Sequence, residues 1–182
     1  YDDAHLLITD YRNGLMLLDI ERGAVRPFLE RRNSERFRGV NDLSFDSRGN
    51  LYFTDQGQSG LHDPTGRVYR LSPDGKLDML LGNCPSPNGL VLSPDEKVLF
   101  VGMTRGNSVW RVPLQADGSV SKVGQFFTSY GPSGPDGLTV DNDGRILVAN
   151  PGLGYVWVLN HRGEPVEILT NSAGTSLTNL CF

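Results

Sequence analysis

The sequence predicts an all-β protein, a propeller built from four-stranded blades, on three observations. Apolar runs of strand length recur at a near-constant spacing. The runs follow one another in the same order within each repeat, separated by turns rich in Gly, Pro, Asn and Asp. No segment carries a 3.6-residue apolar period over a helical length.

The repeat is plainest in four runs: LLITD at 6–10, LYFTD at 51–55, VLFVG at 98–102 and ILVAN at 146–150, whose last residues lie 45, 47 and 48 positions apart. A second run follows each: GLMLLD at 14–19, GRVYRL at 66–71, NSVWRV at 107–112 and GYVWVL at 154–159. A polar turn then leads to a third: VRPFL at 25–29, LDMLL at 77–81, VGQFF at 123–127 and PVEIL at 165–169. The later repeats add a run in front: NDLSF at 41–45, NGLVL at 88–92, DGLTV at 136–140 and NLCF at 179–182. Four strands per repeat of about 45 residues is the pattern of a propeller blade. The chain thus enters at the second strand of one blade and ends within the first strand of another, covering about four blades. The charged stretch 29–38 reads as a solvated loop between blades.

Composition narrows the function. The 182 residues carry 17 Lys+Arg against 21 Asp+Glu, a formal net charge of −4 with no basic block, so a nucleic-acid partner is not expected. No apolar run is long enough for a membrane-spanning helix. Cys84 and Cys181 lack CxxC spacing, and His5, His62 and His161 are scattered. Neither a disulfide framework nor a Cys/His zinc site is expected. Two unpaired cysteines in different blades fit a reducing cytoplasm. GxSxG, P-loop and HExxH patterns are absent.

The chemistry is expected where blades open. Asn41, Asn88, Asp136 and Asn179 each begin a first strand, at spacings of 47, 48 and 43. First strands are innermost in a propeller, so these side chains converge near one mouth of the central channel. Carboxamide and carboxylate oxygens around one point suit calcium, magnesium or manganese. Turn initiation by Asn-Gly and Asp-Gly is the competing explanation. Only one of the four is acidic, so another carboxylate is needed, and Asp42 supplies one if it turns inward. Asp10, Asp55 and Asn150 close second strands and form either a second polar layer or turns. His62, in the long loop 56–65, is a candidate substrate contact. Trp110 and Trp157 share a repeat position and read as packing between blades.

The runs GVNDLSFDSRGNLYFTD at 39–55, SPNGLVLSPD at 86–95 and PDGLTVD at 135–141 resemble the gluconolactonase, regucalcin and luciferin-regenerating enzyme family. The resemblance covers essentially the whole chain. It implies a six-bladed propeller with one divalent metal at the channel mouth, calcium first and magnesium, manganese or zinc after it, and hydrolysis of a small-molecule lactone. It implies Asn88 and Asp136 as metal ligands, Asn41 at the metal or on the substrate, and Asp136 as catalytic acid/base. The family's first metal ligand is a glutamate in an early Glu-Gly-Pro motif, which this chain lacks. Residues 1–182 are therefore read as one propeller domain missing its N-terminal blade and C-terminal end, with that glutamate before Tyr1. Where regucalcin-like members carry an arginine two residues before Asn41, this chain has Gly39, with Arg38 adjacent. The alternatives are a non-catalytic calcium-binding propeller and a metal-dependent hydrolase of organophosphorus esters.

Overall fold

A computed structural model describes residues 1–182. It is all-β apart from one 3₁₀ turn at Thr104–Gly106. The strands form three complete four-stranded antiparallel sheets, one three-stranded sheet and one short hairpin.

The three-stranded sheet comprises β1 (His5–Asp10), β2 (Gly14–Asp19) and β3 (Val25–Leu29), so the chain enters where the repeat places a second strand. β4 (Arg31–Arg32) and β5 (Glu35–Arg36) pair with each other. The stretch expected to be a loop is therefore a hairpin, turning at Asn33 with φ 53°. Glu35 fastens it, accepting from Arg67 Nη2 and Arg38 Nη2 at 2.9 Å each.

The second sheet holds β6 (Val40–Phe45), β7 (Leu51–Asp55), β8 (Gly66–Leu71) and β9 (Leu77–Cys84). The third holds β10 (Pro87–Leu92), β11 (Val98–Met103), β12 (Ser108–Pro113) and β13 (Gly124–Thr128). The fourth holds β14 (Leu138–Val140), β15 (Ile146–Asn150), β16 (Tyr155–Leu159) and β17 (Pro165–Thr170). Each is a meander in sequence order, and β10 lies against both β6 and β14.

Turn chemistry follows the sequence. Asp46 Oδ1 accepts the Arg48 and Asn50 N–H groups at 2.9 and 2.8 Å, and Asp141 Oδ1 those of Asp143 and Arg145 at 3.0 and 2.9 Å. Such bonds let Asp reverse a chain within four residues.

The core lies between sheets. Leu15 of the first sheet packs with Phe37, Val40, Leu51, Phe53 and Tyr69. Tyr52, Val68 and Leu81 of the second pack with Leu90, Leu99 and Val112 of the third. Phe100, Val109 and Phe127 of the third pack with Ile146, Val148 and Trp157 of the fourth. Strands covered on both faces lose polar/apolar alternation: β7 and β15 are buried at every position, whereas the outer strand β17 is exposed throughout. Trp157 packs between sheets, as its repeat position suggests.

Two readings are corrected. Register pairs Leu43 with Phe53, Leu90 with Val101 and Leu138 with Val148, so Met103, not Gly102, is the counterpart of Asp55 and Asn150. Residues 179–182 form no strand. Next to this segment the Gly137 N–H donates to the Thr178 carbonyl at 2.8 Å. Both cysteines are free, Cys84 buried and Cys181 exposed. No helix is long and apolar enough to cross a membrane.

Candidate functional site

Asn41, Asn88 and Asp136 each stand two residues before the leucine that fixes the register of an inner strand. The ladder is irregular there, slipping between Val40 and Leu43 and again between Pro87 and Leu90. Bulges bend a strand and re-aim its side chains, so the local irregularity presents Asn41 and Asn88.

The residue after each candidate links neighbouring sheets. The Gly89 N–H donates to the Asp136 carbonyl at 3.0 Å, and a methyl group at residue 89 would lie 2.2 Å from that oxygen. Glycine is required there by close backbone approach. Gly137 makes the corresponding bond to Thr178. In the second sheet the position is Asp42, whose Oδ2 accepts the Leu90 N–H at 3.0 Å and Oδ1 the Leu43 N–H at 2.9 Å. Both oxygens of Asp42 thus hold backbone, and burial pushes its pKa up against those two bonds.

Buried hydroxyls orient the candidates. Asn88, only 8% exposed, donates through Nδ2 to Thr104 Oγ1 at 3.2 Å, and Thr104 donates to the Pro135 carbonyl at 2.7 Å. Thr54 Oγ1 donates to the Asn88 carbonyl at 2.8 Å and accepts the Asp42 N–H at 3.1 Å. Asn41 Nδ2 donates to Gln56 Oε1 at 3.2 Å, and Gln56 Nε2 donates to Ser86 Oγ at 2.7 Å. Thr54, Gln56 and Thr104 were not legible as site residues. The one signal was Thr54, a hydroxyl in the middle of the buried strand LYFTD.

Asp136 is the group these contacts frame. Burial pushes its carboxyl up to about 6; the Asn88 amide opposes the shift and the Asp42 charge adds to it. Its ionised form is thus disfavoured until an opposite charge is placed beside it.

Other candidates lie elsewhere. Asn179 is exposed and its Oδ1 accepts the Leu180 N–H at 2.8 Å, although the residue packs over Gly137. His62 is exposed and lines a cavity of about 550 Å³ with Tyr11, Gln56, Ser59, Ser86 and Arg105; neither Asn88 nor Asp136 lines it. Asp55, 1% exposed, accepts the Arg38 and Gly39 N–H groups at 2.7 Å each. Asn150 accepts Trp157 Nε1 at 3.1 Å, and Asp10 accepts the Arg12 and Asn13 N–H groups in a turn. These three residues serve the backbone and the core.

Nowhere do three or more His, Cys, Asp or Glu side chains form a metal-binding group. The set at the inner strands is one carboxylate with two carboxamides. Asn88 Nδ2 is already engaged with Thr104, which leaves its Oδ1 free to ligate, and a cation would relieve the desolvated Asp136 charge. An all-oxygen set of this kind fits a hard divalent ion.

A family model described as the SMP-30/Gluconolactonase/LRE-like region matches residues 1–182. The chain belongs to this SMP-30/gluconolactonase/LRE-like family. It is 40% identical over 132 residues to "Lactonase drp35" of Staphylococcus haemolyticus, covering 70% of this chain and 40% of that protein. It is 34% identical over 165 residues to "Gluconolactonase" of Zymomonas mobilis, covering 81% and 46%. The chain therefore spans less than half the length of these curated relatives. Among solved structures, a gluconolactonase from Xanthomonas campestris superposes with a TM-score of 0.82 at 26% identity, over 98% of this chain and 62% of that one. A calcium-binding protein, regucalcin, from Agrobacterium tumefaciens gives 0.82 at 27%, over 98% and 60%.

Proposed function

We propose that the family chain forms part of a six-bladed propeller that hydrolyses lactones at the mouth of its channel, with Asp136 as acid/base. The observation that carries this is a half-buried carboxylate, Asp136, framed by Asn88 and Asp42 where three inner strands meet. Sheets joined at their inner strands and separated by shared apolar layers suit the blades of such a ring. Relatives named lactonase and gluconolactonase supply the reaction class.

Asn88, Asp136 and Asn41 would hold one divalent cation, calcium before magnesium, manganese or zinc, in keeping with the calcium-binding neighbour. Such an ion, when bound, polarises a carbonyl and stabilises developing negative charge. Asp136 takes a proton from the attacking water as its oxygen bonds to the lactone carbonyl carbon. When the ring C–O bond breaks, Asp136 returns that proton to the departing alkoxide, and a hydroxy acid leaves. Thr104 keeps the Asn88 amide turned, and Gln56 fixes Asn41 beside the reacting ring.

The test is pH-stat hydrolysis of glucono-δ-lactone and simple γ-lactones by the complete protein, after chelation and again after adding calcium. Turnover lost with chelator and restored by calcium is expected. Bound calcium with no turnover of any lactone would replace this reading by a calcium-binding, non-catalytic propeller.

A further inference from the structure

We propose that the cavity containing Arg105 is a subsite for an anionic group on the far end of the substrate, so that the preferred lactones are hydroxylated and carry a terminal phosphate or carboxylate. The inference rests on the hydrolytic reading above and names the substrate class for it.

Position comes first. The cavity is one hydrogen bond from the candidate site, because Gln56 lines it and also holds Asn41. Arg105 directly follows Thr104, whose hydroxyl orients Asn88. The same short turn thus sets a candidate ligand on one side and a guanidinium on the other. A volume of about 550 Å³ is ample for a polyol tail.

The chemistry of the wall points to an anion. Arg105 is exposed and makes no ion pair or hydrogen bond with the chain, and none of the residues lining the cavity is Asp or Glu. This is notable in a protein with 21 acidic residues and a net charge of −4. A planar guanidinium binds phosphate or carboxylate through paired N–H donors. Hydroxyl-matching groups surround it. Ser86 Oγ accepts from Gln56 Nε2, which leaves its own O–H proton free to donate.

Ser86 also carries the mark of a shaped site. Its φ of 64° lies in the left-handed region that a serine seldom adopts. The surroundings hold it there: its N–H donates to Ser59 Oγ at 3.0 Å and its carbonyl accepts the Thr104 N–H at 2.9 Å. Non-glycine residues kept in such conformations gather at ligand clamps.

The experiment compares Arg105→Gln with wild type, as complete proteins of matched melting temperature, on a hexono-lactone, its 6-phosphate and its 6-carboxylate. Binding of a hexitol 6-phosphate, which has no lactone to open, is measured alongside by calorimetry. Wild type is expected to favour an anionic lactone in kcat/KM, and Arg105→Gln to lower that preference about tenfold or more, chiefly through KM. The larger of the two ratios tells phosphate from carboxylate. Hexitol phosphate binding that depends on Arg105, with no lactone turned over, would uphold the subsite and overturn the hydrolytic reading. Lactone turnover with equal ratios in both proteins would overturn the subsite and leave hydrolysis standing. Neither binding nor turnover would overturn both.

Discussion

The Gly89 N–H donates to the Asp136 carbonyl across 3.0 Å, so the residue beside one candidate ligand grips the backbone of the next. Gly89→Ala places a methyl 2.2 Å from that oxygen and forces two inner strands apart. A loss of about 2 kcal/mol is expected, as for other overpacked sites. Urea denaturation checks it against Gly124→Ala, where a methyl meets nothing within 4 Å. Equal stability of the two variants would contradict the tight approach.

Asp136→Asn separates chemistry from folding. Activity should fall by about two to four orders of magnitude if the carboxylate moves the proton. Stability should move the other way. The folded pKa of about 6 exceeds the ordinary 3.8, so between those values the native state binds more protons than the unfolded one, and wild-type stability declines as pH rises through that window. In chelator at pH 7 the variant should be more stable than wild type, with the gap closing near pH 4. Urea midpoints at the two pH values decide it.

Thr104→Val keeps the shape and removes the hydroxyl shared by Asn88 Nδ2 and the Pro135 carbonyl. Leaving those groups unpaired should cost about 1–3 kcal/mol, and calcium titration should show weaker binding. Thr104→Ser should recover most of both. A valine variant that binds calcium like wild type would mean that Asn88 needs no such support.

The two thiols should differ sharply. Burial pushes Cys84 up to about 12, whereas Cys181 is exposed. Thiolate is the reactive form. Iodoacetamide at pH 8 should therefore add one group to the native protein, at Cys181, and two in denaturant, read by mass spectrometry.

What was legible in the sequence was whatever repeats. The order of strands and the placement of Asn41, Asn88 and Asp136 recur every 47 or 48 residues, and the Asp46 and Asp141 turns are local. What escaped depends on contacts that no spacing encodes. Thr54 reaches Asn88 from 34 residues away and Thr104 reaches Pro135 from 31. The hairpin at 31–36 has no apolar alternation to betray it and is clasped by Arg67, 32 residues on from Glu35. Met103 hid its equivalence with Asp55 because an apolar side chain occupies a position that is polar in the neighbouring sheets. Asn179 matched the repeat in type, but its Oδ1 accepts the neighbouring Leu180 N–H and the residue lies outside any strand.

Asn41, Asn88 and Asp136 arrive on three separate sheets, and the distances between them are set by the thickness of the apolar layers in between. Those layers act as shims. Val101→Ala or Val148→Ala should let neighbouring sheets settle closer and shift Asn88 relative to Asp136 without touching either. On the proposed lactone-hydrolysing reading, the scaffold can be retuned for a different ring size from inside its packing, and variants selected for altered substrate preference should carry changes far from Asn41, Asn88 and Asp136.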